Sequence, residues 1–241
     1  MRKTARMLIA VTFALPDESK ELVHELRHPG ATGSGALPSV LGNLGPHEIL
    51  IIHTGVGKKR AQAAAERLLQ DYTPGLLISS GFAGGLDPAI PARSVVLAQN
   101  LSDAAMLQTA RTALGSHGVF EGLLTTTEMT LETAAEKAMC ARDTNGIAVD
   151  MESAEIVKVA RAHRVPTLTI RVVTDSATEP LPVPFPVWFD EQKQQPKVGA
   201  LLKYLLANPA VIPDFARFVG NVNGARRVMT EALVRIIEAI C

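Results

Sequence analysis

The sequence predicts an α/β fold in three layers, with a central, largely parallel or mixed sheet covered by helices on both faces. Apolar runs of strand length alternate with amphipathic, helix-length segments from Met7 to Asp175, the pattern of an α/β chain. The runs are continuous rather than alternating in polarity, as strands buried on both faces require. With 47% hydrophobic and 20% charged residues in 241, the chain has enough apolar material for one large core. Residues 1–241 are therefore read as a single domain.

The elements follow in order. Residues 7–15 form an apolar run read as the first, buried strand, and Pro16-Asp17-Glu18 opens a helix reaching about His28. Residues 29–46 hold five glycines and three prolines and are read as loop or irregular β structure. Residues 48–53 make the next strand. Thr54-Gly55-Val56-Gly57 then turns into an alanine-rich helix over 58–70. A short buried strand at 76–80 ends in the glycine-rich turn Gly81-Phe82-Ala83-Gly84-Gly85. Strands are expected at 94–99 and 119–126, a helix at 130–142, a strand at 147–150, a helix at 151–163 and a strand at 167–174. After Pro180 comes a loop rich in proline and aromatics, with Phe185, Trp188 and Phe189 as a lid or as ordinary packing. Helices over 198–206, 209–219 and 225–240 are expected to lay their apolar stripes on the sheet.

Several function classes are excluded. Lys+Arg and Asp+Glu each number 24, so the chain lacks the basic footprint of a nucleic-acid binder. Aromatics make up 4%, too few for a stacking platform. No apolar run approaches the roughly 20 residues of a membrane span. Arg2, Lys3 and Arg6 precede the first apolar run in the manner of a short secretory signal, but no small-x-small cleavage site follows it. Cys140 and Cys241 are the only cysteines, too few for a disulfide framework or a structural zinc site. A cytoplasmic protein without metal or cofactor is expected.

The chemistry concentrates in two segments, Ile147-Ala148-Val149-Asp150-Met151-Glu152-Ser153 and Ile170-Arg171-Val172-Val173-Thr174-Asp175. Each delivers acids to the carboxyl end of a strand, where open α/β sheets bind ligands. Charge left there without a use is costly. Asp150 is read as structural, favouring the helix amino terminus. Glu152 then faces the crevice, where a carboxylate suits vicinal hydroxyls, and Asp175 stands at the end of its strand. The turn at Gly57-Lys58 is not a phosphate loop, because Ile52 occupies the position of the required first glycine and Lys59 that of the Ser or Thr. His53 and His163 have no partner at metal-ligand spacing, and no Gly-x-Ser-x-Gly elbow is present.

Four segments resemble the nucleoside phosphorylase and nucleosidase superfamily, and within it the methylthioadenosine/S-adenosylhomocysteine nucleosidases. They are Thr54-Gly55-Val56-Gly57-Lys58, Ser80-Gly81-Phe82-Ala83-Gly84-Gly85-Leu86, Ala148-Val149-Asp150-Met151-Glu152-Ser153 and Arg171-Val172-Val173-Thr174-Asp175. A weaker likeness, over 130–175 and from Asn208 to Arg226, is to the hopanoid-associated phosphorylase branch. The resemblance implies a phosphorylase-like fold, a homodimer, and cleavage of the N-glycosidic bond of a purine nucleoside, adenosine-type and 5′-substituted. Asp175 then protonates or hydrogen-bonds purine N7, Glu152 grips the ribose hydroxyls, Met151 packs under the sugar, and Phe82, Ala83 and Gly84 line the pocket. An acid after the first strand activates water: Glu18 or Asp17 qualifies, and helix register favours Glu18. Two departures leave room for a bulkier or more lipophilic adenosine conjugate. Phe82 replaces a small hydroxyl residue, and Met129-Thr130 replaces the aromatic that stacks on adenine. Hydrolysis is favoured over phosphorolysis because no arginine adjoins Gly81, although Lys58, Lys59 and Arg60 keep inorganic phosphate open as a partner. The third alternative is an inactive nucleoside-binding or scaffold protein.

Overall fold

The structure, a computed structural model, describes residues 6–32 and 39–240; Arg2, Lys3, the glycine-rich residues 33–38 and Cys241 lie outside them. The strands in chain order are β1 (Leu8–Phe13), β2 (Arg27–Ala31), β3 (Ser39–Leu44), β4 (His47–His53), β5 (Leu76–Ser79), β6 (Phe82–Gly85), β7 (Val95–Ala98), β8 (Val119–Thr126), β9 (Gly146–Asp150), β10 (Thr167–Asp175), β11 (Phe189–Asp190) and β12 (Gln195–Pro196). The α-helices are α1 (Pro16–Glu25), α2 (Lys58–Asp71), α3 (Ala104–Leu114), α4 (Ala134–Thr144), α5 (Ser153–Ala162), α6 (Phe185–Trp188), α7 (Val198–Ala207) and α8 (Ile212–Ala239). Among the described residues, no helix is long and apolar enough to cross a membrane.

The main sheet is mixed, with strand order β2-β3-β4-β1-β5-β10-β6-β9-β8-β7. β10 is its spine. Residues Thr167 to Thr169 pair with β5, Ile170 to Val172 with β7, and Val172 to Asp175 with β6. The β7–β10 pairing curls this end of the sheet into a ring, and all nine residues of β10 are buried. Side-chain alternation along each strand feeds two layers. On one face Ile9, Val11 and Phe13 meet Leu22 of α1, Leu107 of α3 and the Ala225 to Ile237 stripe of α8. On the other, Ala10, Leu50 and Leu77 meet Ala61, Ala65 and Leu68 of α2 and Ile156 and Ala160 of α5. The three-layer expectation holds.

Four local expectations are corrected. The first helix ends at Glu25, and Arg27 to Ala31 form an exposed edge strand instead; the edge position accommodates Pro29, which has no N–H to donate. Phe82–Gly85 is a strand, because its backbone is claimed by β10 on one side and β9 on the other. Helix α3 replaces an interval with no expected element, buried on Leu107, Ala110 and Leu114. The two last helices are one: residues 220–224, left between the expected helices, lie inside α8. Arg93 lies across them, donating to Gly220 O at 3.2 Å, and a Cβ at Gly224 would stand 2.6 Å from Arg93 Nε. Gly224 makes room for that side chain at about 1 kcal/mol in helix propensity. The sheet-packing expectation holds for the second half of α8 only; α7 buries no residue.

A buried ion pair stitches the sheet together. Arg171 on β10 donates to Asp150 Oδ2 on β9 at 2.8 and 3.1 Å, to Ser79 Oγ on β5 at 3.2 Å and to Ser153 Oγ at 2.6 Å. Asp150 also accepts from Thr126 Oγ1 of β8 at 2.7 Å and from the Ser153 backbone N–H at 3.1 Å, which starts α5. Removing one partner strands the other charge in the interior. Arg171→Met should therefore cost about 3–5 kcal/mol, read as a lowered denaturant midpoint; a loss under 1 kcal/mol would contradict the arrangement.

Candidate active site

The Gly55–Gly57 turn ends β4 and is tied to the end of β1, with Thr54 N–H donating to Phe13 O at 2.8 Å and Gly55 N–H to Ala14 O at 3.0 Å. Gly55 and Gly57 have φ of +76° and +97°, conformations that favour glycine. The turn so formed aims the Gly57 N–H at Glu152 Oε1, at 2.7 Å. Glu152 stands between β9 and α5, two residues beyond Asp150, and its own first-turn geometry is supplied by Asp150 below it. Asp150 is locked by Arg171; Glu152 points into a cavity.

Glu18, in the first turn of α1, is hydrogen-bonded by the Leu15 N–H at 3.0 Å and approached by the Phe82 N–H at 3.4 Å. A Cβ at Gly81 would lie 3.3 Å from its Oε1, so the bare glycine is what admits the carboxylate. Asp17, the other acid considered, is exposed and pairs with Arg226, and both also line the cavity that Glu152 enters.

Asp175 owes its aim to a bulge. The β10–β6 register shifts between Val173, opposite Ala83, and Asp175, opposite Gly84; an extra residue there re-aims the side chain that follows. A Cβ on Gly84 would sit 3.3 Å from Asp175 Oδ2 and 3.2 Å from Val149 Cγ1, so glycine lets the carboxylate lie against β6. Thr174 Oγ1 donates to Asp175 Oδ1 at 2.7 Å and Lys137 Nζ to Oδ2 at 2.5 Å. Sequence reasoning missed Lys137, a fully buried lysine on α4.

These residues share one cavity of about 440 Å³, within the usual range for a small-molecule site. Glu18, Glu152 and Asp175 line it, as do Asp17 and Asp150, with Met151, Phe82, Ala83 and Gly84. Phe185 and Trp188 line it too, as the lid reading expected, whereas Phe189 packs inward at 2% exposure. Leu181 N–H and Phe185 N–H both bond to Glu132, at 2.8 Å each, fixing the aromatic segment beside the start of α4. Unforeseen is the contribution of α8: Phe215, Phe218, Val219 and Val222 form an apolar side of the cavity. Their spacing is helical, and the signal was legible as a second apolar stripe offset from the core stripe.

Burial controls the electrostatics. Desolvation raises the Glu18 carboxyl above its ordinary value, against the backbone N–H of Leu15 and the Arg171 charge. Glu152 is pushed to about 8, by burial first and then by the Asp150 charge, against the Gly57 N–H and Arg171. The unfolded chain releases the Glu152 proton near 4.5 and the folded protein near 8. Between those values the native state holds the extra proton, so this contribution is full below pH 4.5 and lost as pH rises through 8. Glu152→Gln should flatten the fall in urea midpoint across that window; an unchanged slope would contradict the assignment.

Comparison with known proteins agrees with this geometry. The family model described as "Phosphorylase superfamily" matches residues 8–112 and 99–207. The 5′-methylthioadenosine/S-adenosylhomocysteine nucleosidase of Shewanella halifaxensis is 25% identical over 208 residues, 74% of this chain and 90% of that protein. The Bacillus thuringiensis subsp. konkukian protein of the same name is 24% identical over 215 residues, 77% and 93% of the two chains. Among solved structures, the Streptococcus pneumoniae nucleosidase with the transition-state inhibitor MT-ImmA superposes with a TM-score of 0.76, at 18% identity, over 98% of this chain and 100% of that one. A futalosine hydrolase mutant of Helicobacter pylori gives 0.74 at 12% identity, over 96% and 98%. A shared three-layer fold, a match over most of the length and acids at the carboxyl ends of β9 and β10 lead to one conclusion: the chain belongs to the phosphorylase superfamily.

Proposed function

We propose that this protein hydrolyses the N-glycosidic bond of a purine nucleoside, adenosine-type and substituted at the 5′ position. One observation carries the reading: Glu18, Glu152 and Asp175, from three separated stretches of chain, line one cavity. Nothing in core packing calls for three carboxylates there, and each costs desolvation. The relatives' names supply the substrate class.

Cleavage needs three things: a base made ready to leave, a sugar held while its C1′ gains oxocarbenium character, and a nucleophile. Asp175 stands in the role of acid toward N7, where a proton draws the C1′–N9 electron pair into the purine. Glu152 accepts from the ribose hydroxyls, with Met151 beneath the ring and Gly84 giving the base close access to β6. Glu18 takes a proton from the attacking water, and its raised pKa suits a base working near neutrality.

Water is favoured over phosphate by the fate of the nearby cations. Lys58 pairs with Glu128 at 3.2 Å, Arg60 donates to the carbonyls of Glu191 and Gln192, and Arg171 is held by Asp150. The Gly57 N–H, which a phosphate oxygen would need, is bonded to Glu152. The apolar α8 wall and Phe82 suit a bulky apolar 5′ group. We also read the protein as a cytoplasmic homodimer; Met129, Leu202 and Leu206 are exposed beside the cavity, and light scattering tests the assembly.

Asp175→Asn and Glu18→Gln should each lower kcat on a good nucleoside substrate by roughly 100- to 10,000-fold; unchanged turnover in either would sink the corresponding role. The acidic limb of the kcat/KM profile should fall above pH 4.5, the ordinary glutamate value, because burial raises Glu18. Release of free base should be equal with and without inorganic phosphate. Strict dependence on phosphate would replace hydrolysis by phosphorolysis, and failure of any nucleoside to bind would favour a scaffold.

A further inference from the structure

The outer side of the arm formed by α7 and the first half of α8 has no part in the chemistry of the cavity. Among the described residues, exposed large hydrophobics concentrate there: Val198, Leu202, Leu206, Ile212 and Val219. The first three recur at every fourth position, which places them on one face of α7, and they are 68%, 57% and 74% exposed. The opposite face, with Leu201, Tyr204 and Leu205, is half-buried. α7 is thus largely apolar on both sides, where a surface helix ordinarily turns charge toward water. An exposed apolar patch of this kind marks an interaction site. It also adjoins the cavity: Leu201 lines it next to Leu202, and Val219 both lines it and is exposed.

The charges around the patch have one sign. Between Glu191 and Asp214 the chain carries Lys193, Lys197 and Lys203 and no acid, in a protein whose net charge is zero. Asp214 itself is paired with Arg217 at 2.9 Å. A protein partner fits this pattern poorly, because protein interfaces gather aromatic residues and arginine and are depleted in lysine. A second copy docked isologously would set these lysines against their own counterparts. Aliphatic side chains flanked by lysines instead match an anionic lipid surface, where the apolar groups enter the acyl boundary and the ammonium groups meet the headgroups. We propose that the α7–α8 arm docks this protein on an anionic membrane surface, with Val198, Leu202 and Leu206 in the lipid. A nucleoside with an apolar 5′ substituent then passes between bilayer and cavity along the arm, and its apolar group stays out of water. Docking stands on the arm alone; the passage of substrate rests on the nucleosidase reading.

Flotation of the full chain with lipid vesicles is the test. The protein should float with mixed phosphatidylcholine–phosphatidylserine vesicles and far less with phosphatidylcholine alone, and added salt should weaken the binding. Leu202→Gln and Leu206→Gln should each weaken it roughly tenfold, and Lys193→Gln and Lys203→Gln roughly fivefold each. None of these four side chains lines the cavity, so turnover of 5′-methylthioadenosine in free solution should match wild type. Circular dichroism reports the folding of each variant, and where a leucine variant does not fold, the exposed lysines decide the matter. Absence of binding to the anionic vesicles, or binding that every folded variant leaves unchanged, would overturn the docking. So would light scattering that finds a dimer split by Leu202→Gln, since the patch then belongs to a second copy. Vesicle binding by a protein that cleaves no nucleoside would support the docking and overturn the nucleosidase reading instead.

Discussion

The pairing of Arg171 with Asp150 is the constraint on which the site depends. A guanidinium in the middle of a fully buried strand is tolerated only if its donors are met, and here they are met by β5, β9 and the first residue of α5. The pair therefore fixes the relative heights of the strands whose carboxyl ends carry the ligand-facing groups. Glu152 follows Asp150 by two residues, and Asp175 follows Arg171 by four. Positioning is inherited from the ion pair, and the acids at the cavity are set before any ligand arrives.

The acids themselves work against stability. Glu18 and Glu152 are desolvated without a dedicated cation of their own, and burial raises both. Each is held instead by backbone N–H groups, from Leu15 and Gly57, which leave the carboxylates chemically available in a way that a lysine or arginine partner would not. Asp175 is treated differently, with Lys137 at its side. One cavity thus holds acids in two electrostatic settings.

Much of the fold was legible in the sequence, because buried parallel strands advertise themselves as apolar runs, as at Leu76–Ser79 and Thr167–Asp175. Glu152 and Asp175 were legible through their place at strand ends, and Glu18 only through the resemblance, which implied a role for an acid after the first strand. What escaped reading has physical reasons. Lys137 lies on a helix with little amphipathic pattern, and a lysine there looks solvated; its partner is 38 residues away. Gly224 looks like a break until Arg93, on another part of the surface, is seen to fill the space it leaves. Phe82–Gly85 looks like a turn, since glycine-rich strands are held by their neighbours' hydrogen bonds and not by side-chain preference.

The long helix α8 has two unequal halves. From Gly224 onward it is anchored in the core; before that, no residue of it is buried, nor is any of α7. The anchored half opens only with the whole molecule, while the free half has little apolar burial to oppose local opening. An apolar substituent lying against Phe215, Phe218 and Val222 would supply the missing contact. Ligand affinity and the local order of this arm would then be two readings of one equilibrium.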